Sequence, residues 1–277
     1  MSSERAETYT HGHHESVLRS HRWRTAENSA AYLLPHLAPG MSVLDVGCGP
    51  GTITIDLARR VAPGRVLGLD TAEAPLHDAR AEAVAVAATN VEFAIGDAYA
   101  LPVEDASFDV VHAHQVLQHL ADPAAALREM GRACRAGGIV AARESDYGAM
   151  TWFPADPVLD RWLALYQSVG RANGGDPDAG RRLVSWAHAA GFADVTASAS
   201  TWCFASPADR AWWGGLWADR ITHSTLADQA IAEGFATAAE LAAIAEAWRR
   251  WAAHDDGWFI VTSAEILCRR HERRGTR

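Results

Sequence analysis

The chain is expected to fold as a doubly wound α/β sheet, on three observations. Strand-like and helix-like stretches alternate from residue 42 to 144, the strand stretches are short apolar runs, and a glycine-rich turn joins the first strand to the first helix. SVLDVG (42–47) reads as a buried strand, GTITIDLARRV (51–61) as a helix and RVLGLD (65–70) as a second strand. AEAPLHDARAEAVAVAA (72–88) reads as a helix, with Pro75 near its start where proline is tolerated, and VEFAIGD (91–97) as a third strand. FDVVHAHQV (108–116) is a fourth strand. Asp122 then caps a helix running from Pro123 to about Arg135, and GGIVAARE (137–144) is a fifth strand. Such spacing argues for parallel βαβ units with helices on both faces.

Composition narrows the functional classes. At 277 residues and 49% hydrophobic content the chain can bury a large core, so one enlarged domain, or one domain carrying a substantial insertion, is expected. A net charge of -9 argues against a nucleic-acid partner, although the final RRHERRGTR is locally basic. No stretch reads as a signal peptide or a membrane span, so a cytoplasmic protein without a membrane partner is expected. Cys48, Cys134, Cys203 and Cys268 form no CxxC pair, and all 25 basic residues are arginine. The absence of lysine excludes Schiff-base chemistry on a lysine amine and the lysine of a phosphate-binding Walker loop.

In a doubly wound sheet the ligand lies beyond the carboxyl ends of the strands. Those ends carry Asp45 to Gly51, Asp70, Asp97, and His114 with Gln115. Glycines there let the backbone approach a ligand, and the helix starting near Gly51 offers free N–H groups to an anion. Asp70 closes the second strand, where an acid can accept both hydroxyls of a ribose, so the ligand contains a nucleoside. A nicotinamide site usually shows GxGxxG, whereas this chain shows DxGxGxG across Asp45, Gly47, Gly49 and Gly51.

With VLDVGCGPG, VLGLD, FAIGDAYALPVEDASFDVVHAHQVLQHLADP and the GG-led strand at 137 in that order, the sequence resembles the class I S-adenosylmethionine-dependent methyltransferases. The branch it resembles is that of the ubiquinone and menaquinone biosynthesis methyltransferases (methyltransferase type 11). The likeness is close over 40–145 and looser over 180–204 and 257–270. It implies a Rossmann-like sheet of seven strands, the last antiparallel, with DVTASASTWCF (194–204) and GWFIVTSAEILCR (257–269) as strands six and seven. It also implies a cofactor set. Gly47, Cys48, Gly49 and Gly51 would line the methionine part with Asp45 nearby, and Asp70 with Thr71 would hold the ribose. Gly96, Asp97 and Ala98 would meet the adenine, and His114 and Gln115 the methionine end. Duller roles stay open: Asp45 and Asp97 could simply order their turns, and Cys48 reads as a small filler.

A methyltransferase needs a base only if the acceptor must lose a proton. His119 leads the candidates because imidazole titrates near neutrality, followed by Glu144, Tyr147 and His14. His119 could equally shape the loop before Asp122, and Glu144 or Asp146 could pair with Arg143 or Arg171.

Six segments are expected: a lid over 1–39, the cofactor-binding core over 40–146, a helical insertion over 147–179, more core over 180–204, a Trp-rich helical insertion over 205–256, and the last strand with the basic tail over 257–277. Ala26, Ala30, Leu33, Leu34 and Leu37 recur at helical spacing and should pack on the core. Tyr9, His11, His13, His14, His21 and Trp23 suit a lid, and the HxHH pattern is not read as a metal site. Trp212, Trp213, Trp217, Trp248 and Trp251 are either plain core or an apolar cover over a small organic substrate. The expected function is methyl transfer from S-adenosylmethionine to a small, partly apolar metabolite, yielding S-adenosylhomocysteine. The alternatives are an NAD(P)-dependent oxidoreductase and a cofactor-binding cyclase or scaffold without transfer. The oligomeric state is left open, a homodimer included.

Overall fold

The computed structural model describes residues 15–271, and its sheet follows from the apolar runs of the sequence. β1 (Val43–Val46), β2 (Val66–Asp70), β3 (Val91–Ile95), β4 (Phe108–His114) and β5 (Cys134–Ser145) lie parallel in the order β3-β2-β1-β4-β5. β1 is buried at every residue, as a central parallel strand covered on both faces must be. α3 (Thr52–Val61), α4 (Glu73–Ala85) and α5 (Pro123–Ala133) make the crossovers, numbered after α1 (Glu15–Arg22) and α2 (Ala26–Ser29). Asp122 caps α5 as expected, its carboxylate accepting the Ala125 N–H at 2.9 Å with Pro123 in the first turn.

The far side of the sheet is antiparallel. β8 (Trp258–Arg269) runs against β5, and β7 (Asp194–Phe204) pairs along its other side from Asp194↔Arg269 to Phe204↔Phe259. This matches the expected last-strand reversal. One strand was not expected: β6 (Thr151–Phe153) lies in the stretch anticipated to be helical. β5 leaves β8 at Ser145↔Ser263, so the first residues of β8 have no partner on that side, and the β-prone Thr-Trp-Phe stretch fills the gap with Thr151↔Ile260.

The helical periodicity read over Ala26–Leu37 also needs correction. Only Ala26–Ser29 is α-helical, followed by turns and a 3-10 turn at Leu34–His36 that contains Pro35. The packing holds nonetheless, because Ala26, Ala30 and Leu33 are buried against Ile53, Leu57 and Val61 of α3. α6 (Pro157–Ala172) and α7 (Leu183–Ala189) precede β7, and α8 (Pro207–His223), α9 (Thr225–Ala232) and α10 (Ala238–Ala253) stand between β7 and β8. Trp162 of α6, Trp217 of α8 and Trp248 of α10 meet edge-to-face or stacked at 4.6 to 6.0 Å and form a second core with Phe259. That core fixes the helices over the carboxyl ends of the parallel strands. No helix among the described residues is long and apolar enough to cross a membrane.

Candidate functional site

The turn after β1 folds back over the end of β2: the N–H groups of Gly47 and Cys48 both donate to the Leu69 carbonyl, at 2.7 and 2.9 Å. Gly49 and Gly51 both have φ in the left-handed region, +53° and +77°, but differ in their surroundings. A Cβ on Gly51 would come within 2.8 Å of the Ala79 Cβ and 2.9 Å of the Phe93 ring, so this glycine seats α3 against α4 and β3. Among the described residues a Cβ on Gly49 would meet only the His21 ring, at 3.9 Å. Its N–H donates to Asp70 Oδ2 at 2.9 Å.

A cavity of about 440 Å³ begins at this turn. Its first half is lined by Asp45 and Gly47 through Pro50, Asp70 through Ala72, Gly96 through Tyr99, and His114 through Val116. The structure thus gathers the expected cofactor residues Asp45, Gly47, Cys48, Gly49, Asp70, Thr71, Gly96, Asp97, Ala98, His114 and Gln115 on one wall. Gly51 is the exception and a correction: it lies behind the turn, where close helix packing requires it. The chemistry of this half fits an adenosyl ligand. Asp70 accepts one N–H on each oxygen, from Gly49 and from Ala72, and keeps further lone pairs at the cavity edge. Asp97 holds its own turn, with Oδ1 accepting the Tyr99 N–H at 2.9 Å. Asp45 is buried with both oxygens engaged, by Thr54 Oγ1 at 2.6 Å and His112 Nδ1 at 2.7 Å, which is the turn-ordering role weighed for it. Burial beside Asp45 and Asp70 drives the Cys48 thiol far up, so it stays a protonated filler.

The second half of the cavity is aromatic and cationic. Trp23, Tyr147, Met150, Trp202, Trp212, Trp213 and Val261 supply apolar walls, with Arg24, Arg220, Gln118, His119, Ser20 and Ser145 between them. The Trp-rich insertion therefore divides its labour. Trp217, Trp248 and Trp251 are core, whereas Trp212 and Trp213 face the cavity. Trp23 also lines this half, packing on Trp202 at 5.1 Å and on Trp212 at 5.3 Å. Arg24 beside it donates to Gln115 Oε1 at 2.6 Å. Gln115 itself sits at φ +55°, unusual for a residue with a side chain. Its N–H to the Arg143 carbonyl and its Nε2 to Ser145 Oγ, at 2.8 and 2.6 Å, hold it there.

The base candidates separate. His119 lines the cavity, and its ring lies 3.1 Å from Gln118 Nε2; burial, then the charge of Arg24, lower its pKa to about 4, so it is neutral at physiological pH. Tyr147 also lines the cavity, stacked on Tyr166 at 3.9 Å, with burial raising its phenol. Glu144 does not face the cavity. Its carboxylate accepts the N–H groups of Val116, Leu117 and Gln118 at 3.0, 2.9 and 3.3 Å, so it anchors the loop bearing Gln118 and His119. Burial pushes its pKa up to about 7 against the pull of those three donors. The expected arginine partners also change: Asp146 takes a two-point bond from Arg181, and Arg143 pairs with Glu265. His14, with Tyr9, His11 and His13, lies outside the described residues.

Trp202, Arg24 and Arg220 were not singled out from the sequence. Trp202 alternates with Phe204 on the inner face of β7, a period-2 signal that was available; the arginines gave none, since every cation of this chain is arginine.

Comparison with known proteins agrees with this geometry. Residues 37–189 match the family model described as a methyltransferase domain. An uncharacterized methyltransferase of Schizosaccharomyces pombe is 36% identical over 95% of this chain and 97% of its own length. A demethylmenaquinone methyltransferase of Lactococcus lactis is 38% identical over 46% of this chain and 48% of its own. Among solved structures, the YcgJ protein of Bacillus subtilis shares the fold, with a TM-score of 0.58 at 19% identity over 89% of this chain and all of its own.

Proposed function

The chain belongs to the S-adenosylmethionine-dependent methyltransferases, and on that premise we propose that it methylates a small, largely aromatic metabolite enclosed between the sheet and the Trp-rich helices. One observation carries the reading: a single cavity is lined both by Asp70 and Asp97 and by Tyr147 and Trp213. Cofactor and acceptor could meet there without leaving the protein. The oxidoreductase alternative gives way to the family assignment.

Bound S-adenosylmethionine supplies a methyl group already made electrophilic by its sulfonium. The residues of the chain bind, orient and exclude water. In this reading Asp70 would receive the ribose hydroxyls, Asp97 and Ala98 would meet the adenine, and the Gly49 cradle with His114 and Gln115 would meet the methionine end. Trp23 and the α1 segment act as the lid: Thr52 Oγ1 donates to the His21 carbonyl at 3.2 Å, and Arg22 reaches Asp78 at 3.2 Å, so the segment spans the cofactor end. Trp212 and Trp213 enclose the acceptor. Alignment within such a closed site is worth roughly 7 to 11 kcal/mol in the best intramolecular cases, so a dedicated triad is not required.

Two measurements test this. Calorimetry with S-adenosylmethionine and S-adenosylhomocysteine should show one site per chain. Transfer of an isotopically labelled methyl group to an aromatic metabolite panel should give methylated product; tight binding with no transfer to any acceptor would favour the binding-only alternative.

A further inference from the structure

The geometry points to His114 as the base that takes the proton from the acceptor, and to an acceptor bearing a phenolic or enolic hydroxyl. This rests on the methyltransferase reading and adds to it the proton path and the substrate class.

His114 ends β4 on the cavity wall, 6% exposed, and neither ring nitrogen has a hydrogen-bond partner among the described residues. The neighbouring candidates are all committed elsewhere. His112, two residues earlier on the same strand, is bonded to Asp45, His119 is in contact with Gln118, and Glu144 is turned to the backbone of 116–118. A buried imidazole left with no partner is destabilising, and a hydrogen-bonding group entering the cavity would relieve that cost. The Trp202 ring lies 6.0 Å away and fixes one side of the imidazole.

The charges around His114 select its protonation state. Arg24 and His21 face it from the N-terminal segment, Arg143 from β5 and His112 from its own strand, and no carboxylate appears among the chief charges acting on it. Burial, then Arg24 and Arg143, hold its pKa well below the ordinary histidine value. A neutral imidazole accepts a hydrogen bond and adds no positive charge beside a sulfonium.

The same charges select the acceptor. Among the described residues every acid lining the cavity, Asp45, Asp70 and Asp97, belongs to the cofactor half, while the acceptor half carries Arg24 and Arg220. An ammonium group is repelled there, and a carboxylate brings no proton for His114 to take. A hydroxyl on an aromatic or conjugated ring fits both the indole walls and the cations, which stabilise oxygen charge as it develops. In the step, an oxygen lone pair forms the new O–CH3 bond while the C–S bond breaks and its electron pair neutralises the sulfonium. The hydroxyl proton passes to an imidazole nitrogen of His114 and leaves to solvent with the products.

The test uses 15N-histidine-labelled full-length protein saturated with S-adenosylhomocysteine, to which 2-naphthol or its methyl ether is added. The naphthol should displace the His114 ring-nitrogen resonance, assigned by its absence in His114→Asn, and the ether should not. An equal response to both, or none to either, overturns the proposal; failure to bind S-adenosylhomocysteine at all would instead sink the methyltransferase reading. An unchanged far-UV circular dichroism spectrum and a cooperative thermal unfolding transition show that His114→Asn is folded. At saturating S-adenosylmethionine its transfer to 2-naphthol should fall about 10²- to 10⁴-fold. Undiminished transfer, or a wild type that methylates 2-naphthylamine but not 2-naphthol, overturns the assignment.

Discussion

The backbone N–H of Gly49 donates to the Oδ2 of Asp70 at 2.9 Å, joining the turn after the first strand to the end of the second. The bond places the carboxylate at the cavity edge and positions the glycine cradle opposite it. Neither residue could be moved without the other.

Replacing Asp70 by alanine removes both the expected ribose acceptor and the brace on the turn. Affinity for S-adenosylmethionine, measured by calorimetry, should fall by roughly 1.5 to 3 kcal/mol, the range for hydrogen bonds to a charged group. An unchanged affinity would remove the ribose assignment.

Gly49→Ala and Gly51→Ala should fail in different ways. Both pay about 1 to 2 kcal/mol for a left-handed residue with a Cβ. At Gly51 the methyl also meets Ala79 and Phe93 below 3.0 Å, so overpacking adds about 1 to 3 kcal/mol. Denaturant unfolding should show the larger loss for Gly51→Ala. Cofactor titration of folded protein should show the larger loss for Gly49→Ala, whose side chain enters the cavity; the reverse pattern would exchange their roles.

Glu144 gives a signed pH dependence. Its pKa is raised from the ordinary 4.5 to about 7, so the fold favours the protonated acid. That contribution is complete below about pH 4.5 and is lost as pH rises through 7, amounting to roughly 3 kcal/mol over the window. Glutamine at this position does not titrate. Unfolding free energies of wild type and Glu144→Gln between pH 4.5 and 8 should therefore shift in favour of the variant as pH rises, and parallel curves would refute the assignment.

The two tryptophan classes predict a contrast. Trp248 is fully buried between Trp162 and Trp217, and Trp248→Ala should cost about 3 to 5 kcal/mol of stability. Trp213 is nearly as buried but borders the cavity, stacked on Phe204 at 4.3 Å. A Trp213→Phe change should leave the melting temperature closer to wild type and alter the apparent KM for an aromatic acceptor. A KM unaffected by Trp213→Phe would place the acceptor elsewhere.

Much of the site was legible because its signals are local. A glycine in a tight strand-to-helix turn and an acid at a strand end are constrained by their own backbone, and the alternation of elements places those ends together. Gly51 was assigned to the ligand because spacing cannot distinguish a glycine facing a cavity from one facing Ala79 and Phe93. Glu144 was misread for a similar reason: its position after the fifth strand puts it near the site, but which way its carboxylate turns depends on three N–H groups some thirty residues earlier. β6 escaped notice because its partner is more than a hundred residues away.

The sequence by itself determined the doubly wound sheet and the glycine turn with its strand-end acids, since each rests on backbone conformation and short-range pattern, and its ordered motifs, through the family they resemble, gave the reversed strand. Only the tertiary structure decided which tryptophans are core and which are wall, that arginines rather than acids surround the acceptor half, and that His114 is left without a partner among the described residues. Those properties arise where α1, β4, β7 and α8 converge, and burial and charge at such a junction are sums over segments distant in the chain.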